Sequence, residues 1–193
     1  MVVKAKVEHK EYNGGLKGLF DRLVGLQKRH IYVGIPQAND SRKRGKIGNA
    51  ELLYIHTHGI RQGSMIREMD RDMARGLKYS AAFSLYLQSH GSPLWHSPPR
   101  PVLEPALKAH KDAIGEKFKK IYLATAKADA AGVESAITGA GLFAQNVCRD
   151  WFTDPRNGWA PNSPATIARK GSENPLIDTG AMRKAITYVV RSD

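Results

Sequence analysis

Leu16, Leu19, Phe20, Leu23 and Leu26 recur at the pitch of a helix, so the chain between Gly15 and about His30 is expected to form an amphipathic helix. Gly14 and Gly15 break the chain before it, and residues 2–7 alternate in the manner of a short strand. Ile31 to Ile35 is a β-rich run stopped by Pro36. A second helix is expected over residues 49–58, with Asn49 as its cap, Leu52, Leu53 and Ile55 as apolar positions and Gly59 as its end. Residues 64–77 carry Met65, Met69 and Met73 at four-residue spacing among many charges, which predicts an amphipathic helix within an inserted, mobile arm over 60–88. The string Leu53-Tyr54-Ile55-His56-Thr57-His58-Gly59 has an echo in Leu85-Tyr86-Leu87-Gln88-Ser89-His90-Gly91, but two copies do not make a solenoid.

Five of the ten prolines fall between residues 92 and 105 and keep that stretch extended until a helix begins near Pro101. Leu103, Leu107, Ile114, Phe118 and Ile121 are expected on its buried side. From about Asp129 to Phe152 the stripe Val133, Ile137, Ala140, Ala144, Val147 and Trp151 steps by four and three. It is either the core-facing side of a domain helix or an intersubunit coiled coil, with Gly132, Gly139 and Gly141 weakening the helix. A turn-rich stretch follows, then a loop around Trp159 whose prolines and indole suit packing better than a free linker. Asp178 or Thr179 caps a short turn through Met182, and residues 185–191 close the chain as a strand with Ile186, Tyr188 and Val190 on one face. Residues 1–193 thus read as one domain, with 153–193 packed on the core as loop and strand.

Charge changes this picture in one place. The formal charge is +12, and the first 50 residues hold eleven cations against four carboxylates. Arg42, Lys43, Arg44 and Lys46 crowd one glycine-flanked loop, either to contact phosphates or to stand solvated beside an acidic neighbour. No aromatic residue interleaves with them to stack on bases. No apolar run approaches the ~18 residues of a membrane span, and a cytosolic origin is expected. The single cysteine, Cys148, suits a small buried position.

Chemistry-bearing patterns are sparse. His56 and His58 chelate a metal only if their segment is extended, because positions two apart on a helix point in different directions. The sequence contains no phosphate-binding glycine loop, no nucleophile elbow and no clustered carboxylates for a two-metal site. The expectation is a protein with no catalytic residues, no cofactor and no metal.

The string Trp159-Ala160-Pro161-Asn162-Ser163-Pro164-Ala165-Thr166-Ile167-Ala168-Arg169-Lys170-Gly171, followed by Pro175-Leu176-Ile177-Asp178-Thr179-Gly180-Ala181-Met182-Arg183 and a strand, resembles the tail-completion and virion-morphogenesis proteins of tailed bacteriophages. Pro99-Arg100-Pro101-Val102-Leu103-Glu104-Pro105-Ala106-Leu107 resembles the start of that family's long helix. Together these pieces cover about half of the chain in the family's order, and the 59–88 region looks like an insertion relative to shorter relatives.

The resemblance implies an α+β subunit in which a small antiparallel sheet packs on a long helix, with additional helices and a helical insertion. It implies assembly as a ring, a hexamer by expectation, at the neck of the virion. The expected neighbours are the tail terminator or tube protein and the head connector, with DNA passing through. On this reading Trp159, Pro161, Asn162, Arg100, Met65, Met69 and Met73 are interface candidates. Arg42, Lys43, Arg44 and Lys46 face DNA or acidic partners, and Leu176, Ile177, Asp178, Thr179 and Gly180 form a structural loop. The alternative is a basic DNA-binding accessory protein, supported by the charge alone.

Overall fold

The computed structural model describes residues 15–41, 47–91 and 94–192. The expected strand at 2–7, Gly14, the cationic loop residues Arg42, Lys43, Arg44 and Lys46, and Pro93 lie outside the described residues.

The first amphipathic segment forms α1 (Gly15–Gln27), and β1 (Arg29–Gly34) follows after one residue. The helix stops before His30 because Arg29 and His30 are drawn into the ladder with β4 (Thr187–Ser192), where they stand opposite Ser192 and Arg191. This pair is antiparallel and runs from Arg29 to Gly34, so the two ends of the described chain close on each other.

Helix α2 (Asn49–His58) begins where expected but is capped differently. Gly48 is the residue at its start, and the Asp40 carboxylate accepts the Ala50 N–H at 2.6 Å. Asn49 is instead buried inside the first turn, donating to the carbonyls of Asn39 and Ser41. The acidic side chain wins the cap because a carboxylate is a stronger acceptor for exposed helix N–H groups than an amide is.

After Gly59 the chain enters a hairpin of α3 (Gly63–Ala74) and α4 (Tyr79–His90), gated by the short antiparallel pair β2 (Ile60–Arg61) and β3 (Trp95–Ser97). This hairpin covers the region read as an arm over 60–88, and it has its own small core. Met65 and Met69 pack with Ala82 and Tyr86, separate from the main cluster. The repeated heptapeptide has a local explanation. Both copies end a helix at a glycine with positive φ, Gly59 and Gly91, and both bring a histidine ring to the tyrosine four residues before it, with ring centroids 4.1 Å apart, tilted at Tyr54–His58 and stacked at Tyr86–His90. It is one helix-ending device used twice.

The proline-led segment yields α5 (Leu103–Ala109) and α6 (Lys111–Ala126), which break at His110. The break resets the helical phase. Val102 and Ala106 become the fully buried positions before it, and Phe118 is turned outward after it rather than lying on the buried side. Helix α7 (Ala130–Asp150) is the longest among the described elements. Its stripe of Ile137, Ala140, Ala144 and Val147 is buried in the chain's own core, so the stripe is the core-facing side of a domain helix. The β1–β4 pair packs on this helix. Helices α8 (Pro164–Lys170) and α9 (Ala181–Ala185) complete the carboxy-terminal third. The fold is α+β, a small antiparallel sheet against a long helix, as expected. No helix among the described residues is long and apolar enough to cross a membrane.

Candidate interface clip

The extended proline-rich chain and the Trp159 loop meet at Arg100. Proline rings on either side hold this stretch extended, which lets the Arg100 N–H donate to the His56 carbonyl at 2.6 Å while its side chain runs the other way. The guanidinium Nε and Nη2 donate to the Ala160 carbonyl at 3.2 and 2.9 Å, and Nη2 also reaches the Pro161 carbonyl at 3.2 Å. Arg100 is buried, and burial holds its pKa below the ordinary arginine value. A planar fork of donors suits two successive carbonyls better than an ammonium does.

Trp159 completes the junction. Its indole Nε1 donates to the Pro101 carbonyl at 3.1 Å, and its ring meets Phe152 edge to face at a centroid distance of 6.0 Å. Asn157 prepares this placement by accepting the Trp159 N–H and donating to the Trp151 carbonyl, with Gly158 in the left-handed region between them at φ 60. Trp159→Phe keeps an aromatic ring at this position but removes the indole hydrogen bond and part of the packed ring, so a loss of about 1–3 kcal/mol in denaturant unfolding is expected.

Beyond the tryptophan, Asn162 turns inward to donate to the Glu173 carbonyl, and Ser163 caps α8 through the Thr166 N–H. The Lys170 ammonium donates to the Asn174 carbonyl. Burial first, and then Arg100 and Arg169 nearby, lower the Lys170 pKa, with Asp178 pulling the other way. Leu176 and Ile177 pack against the main core, and Thr179, the nearer of the two expected caps, accepts the Ala181 N–H while Gly180 takes φ 74. Leu176 itself stands at φ 59, a conformation that costs an L-residue about 1 kcal/mol or more and is held here by core packing.

Two more arginines fasten the end of the chain to α7. Arg149 donates from Nε to the Ile186 carbonyl and from Nη2 to the Lys184 carbonyl, both at 2.8 Å. Arg183 answers with Nε to the Arg149 carbonyl and Nη2 to Asp150. Gln145 Oε1 accepts from the Thr187 hydroxyl and the Tyr188 N–H, and the Tyr188 ring lies directly over Gly141. The sequence gives no sign of Arg149, Arg183 or Gln145, because each works through backbone atoms of a distant segment and leaves no local pattern. Gly141 reads there only as a residue that weakens its helix.

The interface candidates are separated by the structure, and most take other positions. Arg100 and Asn162 are inside the clip, and Met65 and Met69 are inside the arm, with Met73 partly buried beside them. Pro161 is exposed next to the half-buried Trp159. The methionines turn inward because α4 brings Tyr86 and Ala82 onto their face. His56 and His58 sit on helical α2, with the His58 ring on Tyr54 and its Nδ1 facing the Tyr54 carbonyl. Among the described residues no group of three or more His, Cys, Asp or Glu side chains is arranged to hold a metal ion.

Cys148 lies at the centre of the main cluster, where burial pushes its thiol up to about 12. Native protein at about pH 8 should leave a thiol reagent unreacted, and denatured protein should consume one equivalent. Reaction at the same rate in both states would contradict this burial. The raised value also has a stability consequence: the preference for the folded thiol is fully present below the ordinary thiol pKa and is lost as the pH rises through about 12.

No family model, no curated protein and no solved structure matches this chain.

Proposed function

We propose that this chain is a structural subunit of a tailed-phage virion, a neck or tail-completion protein that works as copies in a ring between the tail and the head connector. Six copies is the expected number. The observation that carries the reading is the Arg100–Trp159 clip: the two segments that carry the family resemblance, Pro99 to Leu107 and Trp159 to Arg183, are hydrogen-bonded to each other. A subunit that must close a circle needs a fixed angle between its faces, and a clip that ties the tail to the helix supplies it. The cationic residues Arg42, Lys43, Arg44 and Lys46 would face passing DNA or acidic neighbours.

The test is genetic and visual. Particles assembled without the protein should accumulate full heads and separate tails in electron micrographs. Normal infectious particles in its absence would remove the reading.

A further inference from the structure

Helix α1 carries more apolar surface than its own fold uses. Leu19, Leu23 and Leu26 are half-buried, whereas Leu16, Phe20 and Val24, at four-residue spacing on the adjoining flank, are 87, 66 and 37% exposed. An apolar stripe of that width on a surface helix exceeds what one packing contact requires. It runs toward a cavity of about 250 Å³ between α1, α6 and β1, whose lining includes Leu26, Ile31, Phe118, Ile121, Tyr122 and Val190. Phe118 and Tyr122 are themselves exposed at the rim, at 39 and 54%. The exposed flank of α1 and the cavity, which the end of α1 lines with Leu26 and Gln27, together make a candidate trough, and exposed apolar surface of this kind marks an interaction site.

The charge around the trough says what fits it. Over residues 15–28 and 111–126, cations outnumber carboxylates seven to three, with Lys17 and Lys28 beside the α1 stripe. A second copy packed through the same face would bring these cations together, and one packed through another face still comes from a chain of formal charge +12, so like charges across the interface would cost affinity. A partner helix with acidic borders meets them with opposite charge, and residues at four-residue spacing on two helices interdigitate as ridges and grooves.

We propose that the α1 flank and the adjoining cavity bind an amphipathic helix of another protein, one whose apolar stripe is bordered by acidic residues. Binding at this trough is independent of the neck reading, since either could fail alone: normal particles without the protein would leave the binding result untouched.

The experiment uses the full chain and a fluorescein-labelled synthetic helix of ~18 residues, long enough to hold its shape, with leucine at four-residue spacing and glutamate borders. A control peptide has the same stripe and lysine borders. Fluorescence anisotropy should show the glutamate peptide binding at least about tenfold more tightly than the lysine peptide, with the difference shrinking as salt screens it. Phe20→Ser should weaken binding by about tenfold or more with the thermal midpoint unchanged, because this ring is mostly in water already. Leu16→Ser, at the most exposed of these positions, serves as the second variant if the first is unstable. Absence of binding, equal affinity for both peptides, or indifference to both substitutions would overturn the proposal. Sedimentation showing a dimer of the chain alone that Phe20→Ser abolishes would overturn it in favour of a second copy.

Discussion

Gly141→Ala lowers the stability of this protein by about 1–3 kcal/mol, although alanine is the better helix former. A Cβ at position 141 would stand 2.2 Å from Tyr188 Cδ2 and 2.7 Å from Cγ, against the body of the ring rather than a movable tip. The ring cannot step aside cheaply, because the Tyr188 N–H is held by Gln145 on the same helix and β4 is held by its ladder with β1. Gly139→Ala, two residues away on the same helix, supplies the control: nothing lies within 4 Å of its added Cβ, so it should gain about 0.5–1 kcal/mol from helix propensity alone. For a chain of this size each kcal/mol corresponds to roughly 2–4 °C in thermal midpoint, so melting curves should move in opposite directions for the two variants. Two curves that move together would show that β4 does not rest on α7 at this point.

Arg100→Met costs about 2–3 kcal/mol and loosens the Trp159 loop. Methionine retains much of the apolar stem but leaves the Ala160 and Pro161 carbonyls without their donor. Arg100→Lys should recover only part of the loss, because one ammonium cannot reproduce a fork that serves two carbonyls. The measurement is urea unfolding combined with limited proteolysis, in which the Arg100→Met chain should be cut between residues 157 and 175 under conditions that spare the parent. If both variants match the parent in stability and cleavage, Arg100 is a bystander.

Much of the fold is legible in the sequence because periodicity depends on burial, and burial dominates where a helix faces one core. The α7 stripe follows the expected pattern for that reason, whereas the last strand starts at Thr187 instead of Ala185, which ends α9, and its residues 187–190 are all half-buried instead of alternating. The departures share a cause. At Asn49, the deciding partner is Asp40, nine residues away and on a different turn. At Met65 and Met69, the deciding partner is α4, which gives them a core before any other subunit could. His110 breaks a helix that the apolar spacing could not show to be broken, since its neighbours on both sides are good helix residues. The candidate clip is half visible: Trp159 and Arg100 stand out as residue types, but their hydrogen bonds run to backbone carbonyls of each other's segments, which carry no side-chain signature.

Hydrogen exchange of the native full chain, read by mass spectrometry, tests most directly whether the tail and the proline-led helices form one body. The α5 and α7 amides, the β4 amides and the Ala181 and Lys184 amides of α9 should open together in a single cooperative event, since Arg100 ties the segment leading into α5 to the Trp159 loop and Arg149 and Arg183 tie α7 to the end of the chain. Rapid exchange through the last thirty or so residues, alongside slow exchange in α7, would mean that the tail moves independently and that the fixed geometry proposed for ring closure does not exist.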